Sequence, residues 1–100
     1  MIKYKIVHSI MADKDITHIY NHMAESSMNE AESYIIRLDQ YIQDLTILPE
    51  NGTILNLNDP NKRKRVFDEK YIVLYRILTK QKTLRILRVR HGAKKPLKNS

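Results

Sequence analysis

The chain begins with a short alternation of apolar and polar side chains and then changes to a helical spacing. Residues 4–8 are rich in β-branched and aromatic side chains and predict a short strand. Ser9 is a residue type that caps helices, and Asp13 and Asp15 follow where the helix dipole favours negative charge. The apolar side chains of this segment recur as on one face of a helix: Ile16, Ile19, Tyr20 and Met23. We expect this helix to end near Glu25.

A second helix is predicted to begin after Ser27, which forms a capping-box pattern with Glu30. In such a box the serine and glutamate side chains each accept a hydrogen bond from a free backbone N–H at the helix start. The apolar positions form a narrow seam: Met28, Ala31, Ile35, Leu38, Ile42 and Leu45. Pro49 ends the pattern. Because only a few residues connect the two helices, we expect an antiparallel helical hairpin.

The remaining residues predict three strands, over residues 64–67, 70–77 and 83–91. Asp68-Glu69 and residues 79–82 are the turns, so the strands form an antiparallel meander. The middle strand is apolar on both faces, which predicts a central strand covered on much of both sides. Residues 50–52 and 56–61 are rich in Asn, Asp, Gly and Pro and predict loop. The fold class is therefore α+β.

Composition favours one soluble domain over residues 1–100. The apolar runs are too short to cross a bilayer, and the N-terminus lacks the apolar run of a signal peptide. The chain has no cysteine, so disulfides and thiolate metal sites are excluded. We expect a cytoplasmic protein without membrane association.

Charge is distributed unevenly along the chain. Residues 1–60 carry 4 Lys or Arg against 9 Asp or Glu, a net charge of −5. Residues 61–100 carry 14 against 2, a net charge of +12. Such a gradient attracts polyanions or an acidic protein surface. The alternative is a basic face that serves only solubility.

The cations of the last strands suggest a phosphate-binding surface. Simple alternation puts Leu84, Ile86, Arg88 and Arg90 on one face of the last strand, and Arg85, Leu87, Val89 and His91 on the other. Both faces become basic toward the end of the strand. Since Arg binds phosphate in a bidentate fork and Lys as a point charge, we expect these residues to contact an anionic target: Lys62, Arg63, Lys64, Arg65, Arg76, Arg88, Arg90, His91, Lys94 and Lys95.

His91 is the residue best suited to proton transfer, because the unperturbed pKa of histidine lies near neutrality. It is either a general acid or base, or a residue that caps the strand at the Gly92 turn. Tyr71 and Tyr75 are suited to stacking on a base, but core packing is the favoured interpretation. His18 and His22 are four residues apart on a helix without a third ligand, so we predict no metal and no cofactor.

Three sequence segments carry a resemblance to a known family. They are "ADKDITHIY" in the first helix, "YIVLYRI" in the middle strand and "LRILRVRHGAK" at the end of the chain. With the order of strand, helical hairpin and basic meander, this chain resembles the RelE/ParE toxin superfamily of type II toxin–antitoxin systems. The resemblance implies that the first strand joins the sheet beside the last. It also implies a cognate antitoxin that neutralises the toxin, in a hetero-oligomer with it.

The superfamily has two branches with different targets. RelE-like members cleave mRNA in the ribosome, and ParE-like members poison DNA gyrase without known hydrolytic chemistry. RelE-like nucleases typically have Arg directly after the Tyr of the middle strand, where this chain has Ile72, and many end in an aromatic catalytic residue, which is missing after Lys95. ParE-like members usually have Arg at the position of Lys94.

The leading hypothesis is therefore a ParE-like gyrase inhibitor. Its target surface would include Arg76, Arg88, Arg90, His91 and Lys94. The alternative is a ribosome-dependent endoribonuclease, in which Arg65, Arg88 or Arg90 stabilises the charged transition state and His91 or a Lys transfers protons. A third possibility is an inactive family member that only binds the antitoxin.

Overall fold

A computed structural model describes residues 4–92 of the chain. Its helices and strands are β1 (Lys5–His8), α1 (Ile10–Ala24), α2 (Met28–Asp44), β2 (Thr53–Ile54), β3 (Lys62–Phe67), β4 (Tyr71–Leu78) and β5 (Thr83–His91). The strands form one sheet in the order β1-β5-β4-β3-β2, in which β1 runs parallel to β5. The predicted α+β class is confirmed, as are the meander and the place of the first strand. Neither helix is long and apolar enough to cross a membrane.

Both helices begin at the predicted caps. The Ser9 hydroxyl accepts a hydrogen bond from the Ala12 N–H at 3.0 Å, and the Ser27 hydroxyl accepts one from the Glu30 N–H at 3.2 Å. The Ser27 N–H donates to the Met23 carbonyl at 3.1 Å instead of to Glu30, so the capping box is only half formed. The second helix ends at Asp44, before Pro49, which starts a short 3-10 helix.

The core lies between the two helices and one face of the sheet. Its buried members from the helices are Ala12, Ile19, Tyr34, Leu38, Ile42 and Leu45, and from the strands Phe67, Val73, Tyr75, Ile77, Leu84, Ile86 and Val89. The predicted seam of α2 is correct except at Met28, which is 62% exposed, and it omitted Tyr34. Tyr34 is buried because its hydroxyl donates to Asp68 at 2.8 Å and its ring packs edge-on against Phe67.

The strand β4 shows which face of the sheet is covered. Val73, Tyr75 and Ile77 are buried on the side of the helices, whereas Ile72, Leu74 and Arg76 between them are half-buried. The expectation that both faces are covered is therefore only partly met. Two further differences are at the sheet edge. The strand β2 forms between the two stretches predicted as loop, where no element was predicted, and β3 begins at Lys62 instead of Lys64.

A β-bulge in β5 changes which residues share a face. Tyr75 pairs with Ile86 and Leu74 pairs with Arg88, so Leu87 has no partner on β4. Because one extra residue reverses the alternation, Arg85 lies on the same face as Arg88 and Arg90, and Ile86 on the same face as Val89. The sequence prediction for the two faces of this strand is wrong for this reason.

Candidate anion-binding surface

The sheet face turned away from the helices, which we call the open face, carries cations at adjacent positions of three strands. Cross-strand pairing places them in rows: Lys62, Arg76 and Arg85; Lys64, Leu74 and Arg88; Val66, Ile72 and Arg90. Residues directly opposite each other have Cβ atoms roughly 4.5–5.5 Å apart. The three rows therefore place six cations on this face around a small apolar centre.

Like charges that lie opposite each other destabilise a sheet, and the first row consists entirely of cations. Arg76 is partly neutralised by Asp59, whose two carboxylate oxygens are each 2.9 Å from a guanidinium nitrogen. About a third of each side chain is exposed, so this pair contributes at most about 1 kcal/mol. The remaining repulsion is a free-energy cost that an anionic partner would relieve.

Arg88, also on the open face, forms an ion pair with Asp15 of α1. Its Nε and Nη2 donate to the Asp15 carboxylate at 2.8 and 3.0 Å, and the Val89 N–H donates to the same carboxylate at 2.9 Å. Burial alone raises the pKa of Asp15, but these hydrogen bonds outweigh burial and hold the pKa below its ordinary value. The hydrogen bonds that Arg88 donates to Asp15 raise the pKa of the Arg88 guanidinium.

Three predicted site residues lie on the helix-side face instead. Arg63 donates to the carbonyls of Pro60, Glu50 and Gly52, at 2.9, 2.7 and 3.2 Å, which ties β3 to the preceding loop. The Arg65 guanidinium lies 5.8 Å from the centre of the Tyr41 ring. His91 packs edge-on against Tyr71, with ring centres 5.2 Å apart.

The predicted set is thus divided between two faces. Lys62, Lys64, Arg76, Arg88 and Arg90 are together on the open face, and Lys94 and Lys95 lie outside the described residues. Arg85 is exposed on the open face between Arg76 and β1, although it is not among the predicted site residues. The missing signal is the bulge at Leu87, because alternation without it puts Arg85 on the other face.

A cleft of about 690 Å³ opens beside the end of β5, between the two helices and the sheet. Its floor is apolar, and its rim carries ionisable side chains, among them His18, His22, Glu30, Lys70, Arg90 and His91. Burial, and then the charge of Asp68, raise the pKa of Tyr71 in this cleft, so its hydroxyl stays protonated near neutral pH. Tyr75 belongs to the core, where its hydroxyl donates to the Pro49 carbonyl at 2.6 Å.

The fold is shared with chains from two solved toxin–antitoxin systems. The chain is similar to a chain of the chromosomal ParDE TA system from P. aeruginosa, with a TM-score of 0.72, 16% identity, and 89% of this chain and 96% of the other covered. It is also similar to a chain of the RelBE2 toxin–antitoxin complex from Mycobacterium tuberculosis, with a TM-score of 0.67, 21% identity, and 90% and 99% covered.

A family model identifies the particular group within this class. The model of the ParE toxin of type II toxin–antitoxin systems, parDE, matches residues 9–96. The chain therefore belongs to the ParE toxin family. No curated protein matches it.

Proposed function

We propose that this chain is the toxin of a type II toxin–antitoxin module and inhibits DNA gyrase through its open face. The supporting observation is the concentration of cations on that face. His91 pairs with Tyr71 across the strands and lies on the helix-side face with Val89, opposite to Arg88 and Arg90. A surface with several cations is suited to binding a polyanion.

The position of Ile72 supports the same proposal. Ile72 lies between Val66 and Arg90 on the open face. An apolar side chain therefore occupies the position at which RelE-like nucleases typically have Arg. Transition-state stabilisation at a phosphate requires donors directed at the charged oxygens. Ile72 contributes apolar contact area instead, as at the centre of a protein interface.

Gyrase-catalysed supercoiling of a relaxed plasmid tests the proposal. The purified chain should abolish supercoiling or trap a cleavage complex, and Arg90→Gln and Lys62→Gln should weaken the inhibition at least tenfold. Lys14→Gln is the matched control, because it removes one positive charge from an exposed position on α1. Full supercoiling at a molar excess of the chain, or equal effects of all three substitutions, would count against the proposal.

Ribosome-dependent cleavage of mRNA is the second candidate function. The observation that favours it is that Lys64 and Arg88 flank Leu74 in one row, with Arg90 two residues further along β5, so that more than one cation faces the same region of the sheet. Cleavage of mRNA on stalled ribosomes that is lost in His91→Ala would establish it in place of gyrase inhibition. Absence of growth arrest on expression would instead indicate a family member that only binds its antitoxin.

We further propose that a cognate antitoxin with an acidic surface covers the open face. Relief of repulsion in the row formed by Lys62, Arg76 and Arg85 makes the complex more stable than the free chain. The melting temperature should rise on addition of the antitoxin, and the rise should shrink at high salt. A short acidic protein would be the candidate to test if the neighbouring reading frame encodes one, and both proteins act in the cytoplasm in this proposal.

A further inference from the structure

The contact between Asp15 and strand β5 has the geometry of an anion-binding site. The Arg88 guanidinium offers two parallel N–H donors, as in bidentate recognition of carboxylate or phosphate. The Val89 N–H adds a third donor, 2.9 Å from the same carboxylate oxygen that accepts from Nε. The Asp15 side chain is 15% exposed, so little water competes for these donors.

This site exists because β1 is shorter than β5. Pairing with β1 ends at Ile86, and the backbone of β5 continues with an edge that no strand covers in the described part of the chain. The start of α1 fills this edge with side chains. The Ser9 hydroxyl donates to the Leu87 carbonyl at 2.9 Å, and Asp15 accepts from the Val89 N–H.

We propose that Arg88 and the Val89 N–H form an oxyanion-binding site that Asp15 occupies within the chain. A phosphate of a partner can bind there only after the Asp15 carboxylate is displaced or neutralised. An intramolecular carboxylate has a high effective concentration, so it excludes a weakly bound external anion. While Asp15 occupies the site, an anionic target is attracted by the other cations of the open face, namely Arg90, Arg85, Lys62 and Lys64. This inference rests on the proposed function of the open face.

Substitutions of Arg88 and Arg90 should differ in their effect on the salt dependence of binding to a DNA duplex of arbitrary sequence. Each phosphate contact contributes about 0.9 to the slope of log affinity against log salt concentration. Arg90→Gln should therefore reduce this slope by about 0.9. Arg88→Gln should change the slope no more than the control Lys14→Gln, although both remove one positive charge. A loss in Arg88→Gln equal to that in Arg90→Gln would overturn the proposal.

Asp15→Asn provides the converse test, with Asp13→Asn as its control. Both substitutions remove one negative charge from α1, but Asp13 is exposed and its carboxylate lies 3.8 Å from the His8 Nδ1 atom, beyond hydrogen-bonding distance. Asp15→Asn should make the salt slope steeper by about 0.9 relative to Asp13→Asn, because Arg88 becomes available to a phosphate. Adding Arg88→Gln to Asp15→Asn should remove this gain. Equal slopes in the two single variants would contradict the proposal.

A measurement on the unaltered chain decides the question even if Asp15→Asn fails to fold or the duplex does not contact the open face. The NMR signals of the Arg88 and Arg90 Nε–H groups are followed during titration with inorganic phosphate. Only the Arg90 signal should move in the unaltered chain, and movement of the Arg88 signal would refute the occupied site. A duplex slope that Arg90→Gln leaves unchanged would argue against the proposed function instead.

Discussion

Replacing Asp15 by Asn should destabilise the folded chain at neutral pH. The amide oxygen of Asn can still accept the hydrogen bond from the Val89 N–H, so the backbone contact can survive. What is lost is the negative charge between the Arg88 Nε and Nη2 donors, which lie 2.8 and 3.0 Å from the carboxylate. The substitution therefore measures the contribution of the carboxylate charge, because Asn has nearly the same size and shape as Asp.

The expected loss is about 2 kcal/mol, because a hydrogen bond to a charged group contributes about 1.5–3 kcal/mol. The upper end is excluded because Arg88 is 31% exposed and can be partly hydrated when its partner is neutral. For a chain of this size, about 2 kcal/mol corresponds to a fall in melting temperature of about 8–16 °C. Asp13→Asn, whose side chain is 67% exposed, should cost about 0.5 kcal/mol or less.

The effect of Asp15→Asn should depend on pH in a defined direction. The pKa of Asp15 is lower in the folded chain than its unfolded value of about 3.9. A depressed pKa means that the contribution to stability is fully present above the unfolded pKa and is lost as pH falls through the folded pKa. The difference in unfolding free energy between the two proteins should be constant from pH 6 to 8 and should shrink below about pH 4.

Urea unfolding followed by circular dichroism measures this difference. The midpoint should fall in Asp15→Asn with an unchanged dependence on urea concentration, since the surface exposed on unfolding is the same. A difference between the two proteins that is equal at pH 7 and pH 3 would refute the role of the carboxylate charge. A loss as small as that of Asp13→Asn would refute the contact itself.

Three other substitutions test the fold. Glu69→Gly should raise the free energy of unfolding by about 1 kcal/mol, because Glu69 has a φ of 54° in the turn after β3 and glycine adopts positive φ without steric cost. The urea midpoint should rise accordingly, and a lower midpoint would contradict this. Gly52→Ala should lower the melting temperature by the equivalent of about 1–3 kcal/mol, because the added methyl group would overlap the Tyr75 hydroxyl, and an unchanged melting temperature would contradict this contact. Leu38→Ala should cost about 3 kcal/mol in calorimetry, against less than about 0.5 kcal/mol for the exposed control Ile36→Ala, and equal losses would contradict the assigned core.

The elements that depend on local sequence were predictable. Ser9 and Ser27 fixed both helix starts because their hydroxyls cap backbone N–H groups three residues ahead. The bounds of β5 and the turn at Asp68-Glu69 followed from alternation and turn composition. The β2 strand was missed because a two-residue edge strand has no periodicity of its own, and it forms only by pairing with β3.

The composition of the candidate site depended on contacts between distant residues. The basic residues of β3, β4 and β5 were visible in the sequence as cations on strands. Their division between two faces of the sheet could not be predicted from the sequence. Arg63 and Arg65 alternate with Lys62 and Lys64, and only the position of the helices decides which of the two faces stays open. Arg85 joined the open face through the bulge at Leu87, which exists only relative to the partner strand.

By itself the sequence determined the order of the elements, the helix caps and the accumulation of positive charge in the last part of the chain, since each depends on neighbouring residues. Tertiary structure decided which cations are available to a partner. Asp15 and Arg88 are 73 positions apart and meet only because β1 ends early and α1 crosses the edge of β5. No local pattern records such a contact, because its free energy depends on the distance between atoms in space and not on their separation along the chain.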